Sequence, residues 1–195
     1  MKTFFTLLLT FLICGFANAQ LEKGTWITSL HGSGNYLSKS EYKLTRLTLT
    51  PAIMRLIDNN LALGINLSTS FGSDRIPIVS NPYSVNKTQT YSLEAGPVIR
   101  KYFGDGRFKP YGELGIGWHY VSVREQENDR PIYKDHNDYL YARPVIGLSY
   151  WITEQISVDI NTGLNAVFNL EPDYLYKDWN LNIGIAVKLG KKNDE

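Results

Sequence analysis

Long runs in which polarity alternates residue by residue constrain this chain more than any other feature. Leu61, Leu63, Ile65, Leu67 and Phe71 fall on one face of an extended segment; Asn60, Ala62, Gly64, Asn66, Ser68 and Ser70 fall on the other. Ile156, Val158, Ile160, Leu164, Phe168 and Leu170 oppose Gln155, Ser157, Asp159, Asn161, Gly163 and Asn165 in the same way. Trp179, Leu181, Ile183, Ile185, Val187 and Leu189 oppose Asn180, Asn182, Gly184, Ala186 and Lys188. Successive side chains of a strand point to opposite faces, so each run is a strand with one apolar and one small, polar face. Each is close to the roughly 9 to 11 residues that a tilted strand needs to cross a bilayer.

Weaker alternation marks strands over Gly24 to Ser33, Leu44 to Ile57, Thr88 to Phe103, Phe108 to Arg124 and Asp138 to Ile152. The set predicts an all-β fold, an eight-stranded antiparallel up-and-down transmembrane β-barrel. The facing of the first strand stays open, since Trp26 and Leu30 share one face and Ile27 takes the other. Connections alternate in length. Asp58-Asn59-Asn60, Gly104-Asp105-Gly106 and Thr153-Glu154 read as tight turns. The segments 35–43, 73–87, 125–137 and 171–178 read as longer polar loops on the opposite, outward side. Pro51-Ala52-Ile53, Pro97-Val98-Ile99 and Pro144-Val145-Ile146 form an internal repeat, each before a tight turn. Proline cannot donate to a ladder, so a bulge is expected at each site.

The N-terminus carries Lys2, an apolar run from Phe4 to Phe16, and Ala17-Asn18-Ala19. This is the form of a cleaved signal peptide, with cleavage after Ala19 and a single domain over 20–195. The apolar run is too short for a spanning helix. A lipoprotein signal would want a small residue before Cys14, where the bulky Ile13 stands. Cys14 is the chain's one cysteine, so the exported part has no disulfide to lean on. With Lys2 removed, 19 basic residues balance 19 acidic ones, and nothing draws the protein to nucleic acid.

The polar faces carry Arg46, Glu94, Arg100, Glu113, His119, Arg143, Asp159 and Lys188 among Gly, Ser, Thr and Asn. Small residues with charges of both signs suit a crowded lumen in which each ion finds a partner, because unpaired burial is costly. That favours a membrane barrel over a soluble lipocalin-like one, which would turn the apolar face inward. Aromatics on the apolar faces form two bands: Trp118, Tyr120 and Trp179 at one end, Phe103, Phe108 and Tyr150 at the other. Two such bands match the two interfaces of a bilayer.

Leu47-Thr48-Leu49-Thr50-Pro51, the turn Asp58-Asn59-Asn60 running into Leu61-Ala62-Leu63-Gly64, and Lys109-Pro110-Tyr111-Gly112-Glu113-Leu114-Gly115 carry a resemblance. In these motifs the chain resembles the small outer-membrane-protein β-barrel domains of OmpA/OmpX type, in the versions common in Bacteroidetes. The resemblance covers essentially the whole exported chain and implies a fold rather than an activity. It also implies residence in the outer membrane, contact with its lipids and lipopolysaccharide, and insertion by the barrel-assembly machinery.

No catalytic, cofactor-binding or metal-binding set emerges. His31, His119 and His136 have no partners at metal-ligand spacing. Glu113 and His119, six positions apart on one strand, stand roughly 20 Å from one another, too far for a dyad. His31-Gly32-Ser33 is the one local His/Ser pairing, and it lacks the pattern of an outer-membrane deacylase. The leading reading is a barrel with a side-chain-filled polar lumen and a structural or surface-interaction role through its outward loops. A narrow channel or small-ligand binder is the next reading, and a lipid A-modifying enzyme the third.

Overall fold

The computed structural model describes residues 21–39, 42–78, 81–127, 130–168 and 175–189. Eight strands follow in order: β1 (Trp26–Lys39), β2 (Tyr42–Asp58), β3 (Leu61–Ile78), β4 (Asn81–Tyr102), β5 (Phe108–Glu127), β6 (Arg130–Trp151), β7 (Ile156–Phe168) and β8 (Leu175–Leu189). Each pairs antiparallel with its successor, and β8 returns to β1, closing the barrel. Over Trp26–Gly32 and Ile183–Leu189 closure pairs the sheet edges that lipid could not satisfy. The signal segment, its cleavage after Ala19, Cys14 and the last residues of the chain lie outside the described residues.

The alternation read from the sequence is the alternation of the wall. Ile65 is 62% exposed on the outside, whereas Asn66 beside it is 4% exposed and faces in. The same holds for Val158 and Ile160 against the buried Ser157 and Asp159. A soluble barrel is thereby excluded, since it would leave this apolar exterior in water. β1 resolves in the same terms: Trp26 and Leu30 point outward, and Ile27, Ser29 and His31 are buried inside. Outside the lower rim, Phe108 and Tyr150 meet at 4.6 Å and the Arg55 guanidinium covers the Trp26 ring at 5.7 Å. At the upper rim Trp118 stacks on Tyr120 at 5.9 Å.

Two expectations are corrected. The prolines sit without bulges: Leu49 pairs Thr69 and Ala52 pairs Asn66, so the β2–β3 register is the same on both sides of Pro51. Pro97 and Pro144 show the same pairing gap without a shift. All three prolines point outward, so the missing donor falls in a short ladder gap instead of forcing an extra residue into the strand. At the Pro97 gap the strands come close: a Cβ on Gly96 would meet the Ile116 carbonyl and, at 2.7 Å, the Gly117 Cα. The register shifts lie instead near strand ends, at Leu56/Asp58, Pro77/Ile78 and Glu125/Gln126.

In the segments 35–43, 73–87, 125–137 and 171–178 the described residues are strand and not loop, while 40–41, 79–80, 128–129 and 171–174 lie outside the described residues. β1 runs on to Lys39, β3 to Ile78, β4 begins at Asn81, β5 reaches Glu127, β6 begins at Arg130 and β8 at Leu175. Polar composition marks solvent on both faces, and a hairpin standing in water can keep its ladder. β4 and β6, of 22 residues each, are about twice what a bilayer requires. The tight turns are as expected. Asn60 takes the left-handed conformation at φ 68°, and the backbone N–H of Asn59 donates to Asp58 Oδ1 at 2.8 Å.

Candidate functional site

The inward faces of the strands stack into three levels. The lowest, beside the tight turns, is mostly apolar: Ile27, Met54, Leu56, Tyr102 and Trp151 are all buried to 1% exposure or less. A uniformly polar lumen is therefore corrected at this end. In β1 and β2 the apolar inward residues, Ile27, Met54 and Leu56, lie toward the tight turns, and the registers of the strands bring them together. They form a packed floor. Lys109, also buried, donates from Nζ to the Gly104 carbonyl at 3.0 Å, and Lys188 lies in this region opposite Ile27.

Above the floor stands a buried ionic cluster centred on Arg100. Its Nε donates to Glu113 Oε2 at 2.7 Å, its Nη1 to Tyr102 Oη at 3.1 Å, and Nη1 also lies 3.5 Å from Asp159 Oδ2. The Tyr111 ring covers the guanidinium at 4.3 Å. Asp159 accepts from Ser149 at 2.7 Å and Ser157 at 2.9 Å, and His31 Nε2 stands 3.2 Å from its other oxygen. Asn182 donates to Asn161 at 2.9 Å, and Asn161 to Tyr111 Oη at 3.0 Å. Each charge in this cluster is paired and hydrogen-bonded, the condition under which buried ions are tolerated.

A second cluster lies higher. Arg143 Nη1 donates to Glu94 Oε2 at 3.0 Å, and His119 Nδ1 lies 3.2 Å from Oε1 of the same carboxylate, off the line of an ideal hydrogen bond. Asn66 joins it when its amide nitrogen faces Tyr141 Oη at 2.9 Å and the Gly96 carbonyl at 3.0 Å, leaving its oxygen to the Arg143 guanidinium. The eight residues read from the sequence thus divide: Arg100, Glu113 and Asp159 below, Glu94, His119 and Arg143 above, Lys188 at the floor, Arg46 on the upper wall.

Above these clusters the lumen is hollow. A cavity of about 560 Å³ is walled on β2, β3 and β4 by Thr48, Thr50, Ser68, Ser70, Thr90 and Ser92. Asn161, Asn180 and Asn182 face them from β7 and β8. The lumen is filled by side chains only in its lower part. Neighbouring hydroxyls bond in pairs, Thr50 with Ser68 at 2.9 Å and Ser70 with Ser92 at 2.6 Å.

His31, Tyr111, Asn161 and the Ser149/Ser157 pair are partners that sequence reasoning missed. The signal was present in β1, where Ser29 and His31 are in phase with the inward Ile27. The His31–Asp159 pair with nearby serines is not a nucleophilic triad. Both serines bond to the carboxylate and not to the imidazole, whereas a nucleophile must bond the base that accepts its proton.

No protein-family model matches the chain, and no curated protein does. Solved structures do. OprG, an outer membrane protein of Pseudomonas aeruginosa, matches with TM-score 0.53 and 11% identity over 90% of this chain and 100% of that one. A major outer membrane protein of Thermus thermophilus matches with TM-score 0.53 and 11% identity, over 85% and 99%. Neisserial surface protein A matches with TM-score 0.50 and 15% identity, over 86% and 98%. The chain has the fold of the small outer-membrane β-barrels.

Proposed function

We propose that this protein resides in the outer membrane as a barrel closed to ion flow, without enzymatic activity, and acts at the cell surface through its outward hairpins. The packed floor carries the reading. Trp151, Tyr102, Met54 and Leu56 fill the periplasmic end, and the Arg100 cluster spans the lumen above them. A steady water path needs a continuous polar bore, and these side chains interrupt it. Lipid and lipopolysaccharide surround the apolar wall in this reading, and the barrel-assembly machinery inserts it.

The β5–β6 hairpin is the longest of the outward elements and the best placed to meet a surface partner. It exposes Ile132 and Tyr133. Beside them Asp135 is held below the usual carboxylate range by hydrogen bonds from Tyr133, the His136 N–H and Asn137.

Planar-bilayer recording on the purified protein tests the closed state. The expected outcome is a membrane that stays electrically silent after insertion. A steady unitary conductance whose ion selectivity shifts when Arg100 or Glu113 is neutralised would make the protein a channel.

A further inference from the structure

The wall is not equally zipped all round. β1 and β2 pair over their whole length from Trp26↔Arg55 to Lys39↔Tyr42, but β1 and β8 pair only from Trp26↔Leu189 to Gly32↔Ile183. Above that point residues 33–36 of β1 and 179–182 of β8 are strands, yet have no ladder partner across this seam. The outer surface beside it is strongly apolar: Leu30 is 53%, Tyr36 71%, Trp179 67% and Leu181 65% exposed. The inner surface is the polar cavity, which reaches the seam at His31 on β1 and at Asn180 and Asn182 on β8.

We infer that the seam admits a lipid-linked saccharide of the outer leaflet, its sugar headgroup seated in the cavity and its acyl chains against the apolar flank of β1 and β8. Three observations on chemistry select this occupant. Half of the residues lining the cavity carry hydroxyls or carboxamides, groups that donate and accept at once, as sugar hydroxyls do. The carboxylates at the cavity's base, Glu94 and Glu113, already have arginine partners, so the ligand contributes hydrogen bonds and no charge. The backbone groups facing the seam, beside the outward Trp179 and Leu181, need polar partners where water gives way to lipid, and headgroup hydroxyls supply them. The volume is that of a small-ligand site.

The inference rests on the membrane-embedded, floor-closed barrel proposed above. Its test reads bound mass and not current, so the two fail separately. Protein in a sugar-free zwitterionic detergent is titrated with digalactosyl diacylglycerol, with phosphatidylcholine of the same acyl chains, and with free lactose, and adducts are counted by native mass spectrometry. The glycolipid is expected to bind about tenfold better than phosphatidylcholine, the equivalent of one or two retained hydrogen bonds. Thr48→Val with Thr90→Val, which keeps side-chain shape and removes two wall hydroxyls, should erase that preference. Gly34→Cys with Leu181→Cys continues the Gly32↔Ile183 register outside the cavity; oxidised, it should close the seam and block the glycolipid, and reduced, it should not. Equal binding of the two lipids overturns the site. Lactose binding as tightly as the glycolipid, untouched by the oxidised staple, overturns entry from the membrane and makes this a cavity loaded from outside.

Discussion

Glu94 shows how much one lumen side chain carries. Its carboxylate is shared between Arg143 and His119, and Asn66 and Tyr141 complete the ring around that arginine. Glu94→Gln leaves Arg143 buried without its counter-ion, a loss of about 3 to 5 kcal/mol for a buried pair. Urea unfolding of the protein in detergent should show it, and Arg143→Met added to Glu94→Gln should recover part of the loss, because no lone charge then remains. A single variant within about 0.5 kcal/mol of the parent would mean the cluster is solvated and of no structural weight. The variant should stay electrically silent, since Glu94 lies above the floor and its removal leaves Trp151, Tyr102 and Arg100 in place.

Strands are where the two faces can be set against each other. Ile65 is 62% exposed at mid-strand on β3, and arginine there puts a charge into hydrocarbon at a cost of about 2 to 4 kcal/mol near the midplane. Asn66 is a poor inward control despite its polarity, because it is wedged between Tyr141, Gly96 and Arg143. Thr48 borders open cavity volume beside other polar side chains, so Thr48→Arg is the fitting control. Yield of inserted, protease-resistant barrel should fall for Ile65→Arg and hold for Thr48→Arg; the reverse order would put the wall inside out.

At the scale of the whole molecule, closure through β1 and β8 makes unfolding a single event. The ring of eight antiparallel strands is closed by the ladder from Trp26↔Leu189 to Gly32↔Ile183, and detergent has to break that ladder before the barrel opens. The protein should fractionate with the outer membrane and run at different apparent masses in dodecyl sulfate gels when unheated and when boiled. Recovery from the periplasm as a soluble species with one mobility would end the membrane reading. The packed floor and the hollow above it give the barrel the form of a cup that opens away from the tight turns.

Strand number, strand phase and the apolar exterior were legible in the sequence, because a period of two depends only on neighbours along one chain segment. Leu61 to Ser70 needed no partner to declare its faces. Strand ends were not legible, since polarity at Ser73 or Asp135 reports water and not the absence of a ladder. Nor was the vertical order of the lumen. His31 and Asp159 stand 128 positions apart, and Asn66 meets Tyr141 across 75. Which inward residues share a level follows from the pairing registers of all eight strands together, and register is a property of the closed ring. The pattern of each strand therefore established that charges face inward; only the tertiary structure decided that Arg100 meets Glu113 and Asp159, that apolar side chains seal the floor, and that the upper lumen stays open.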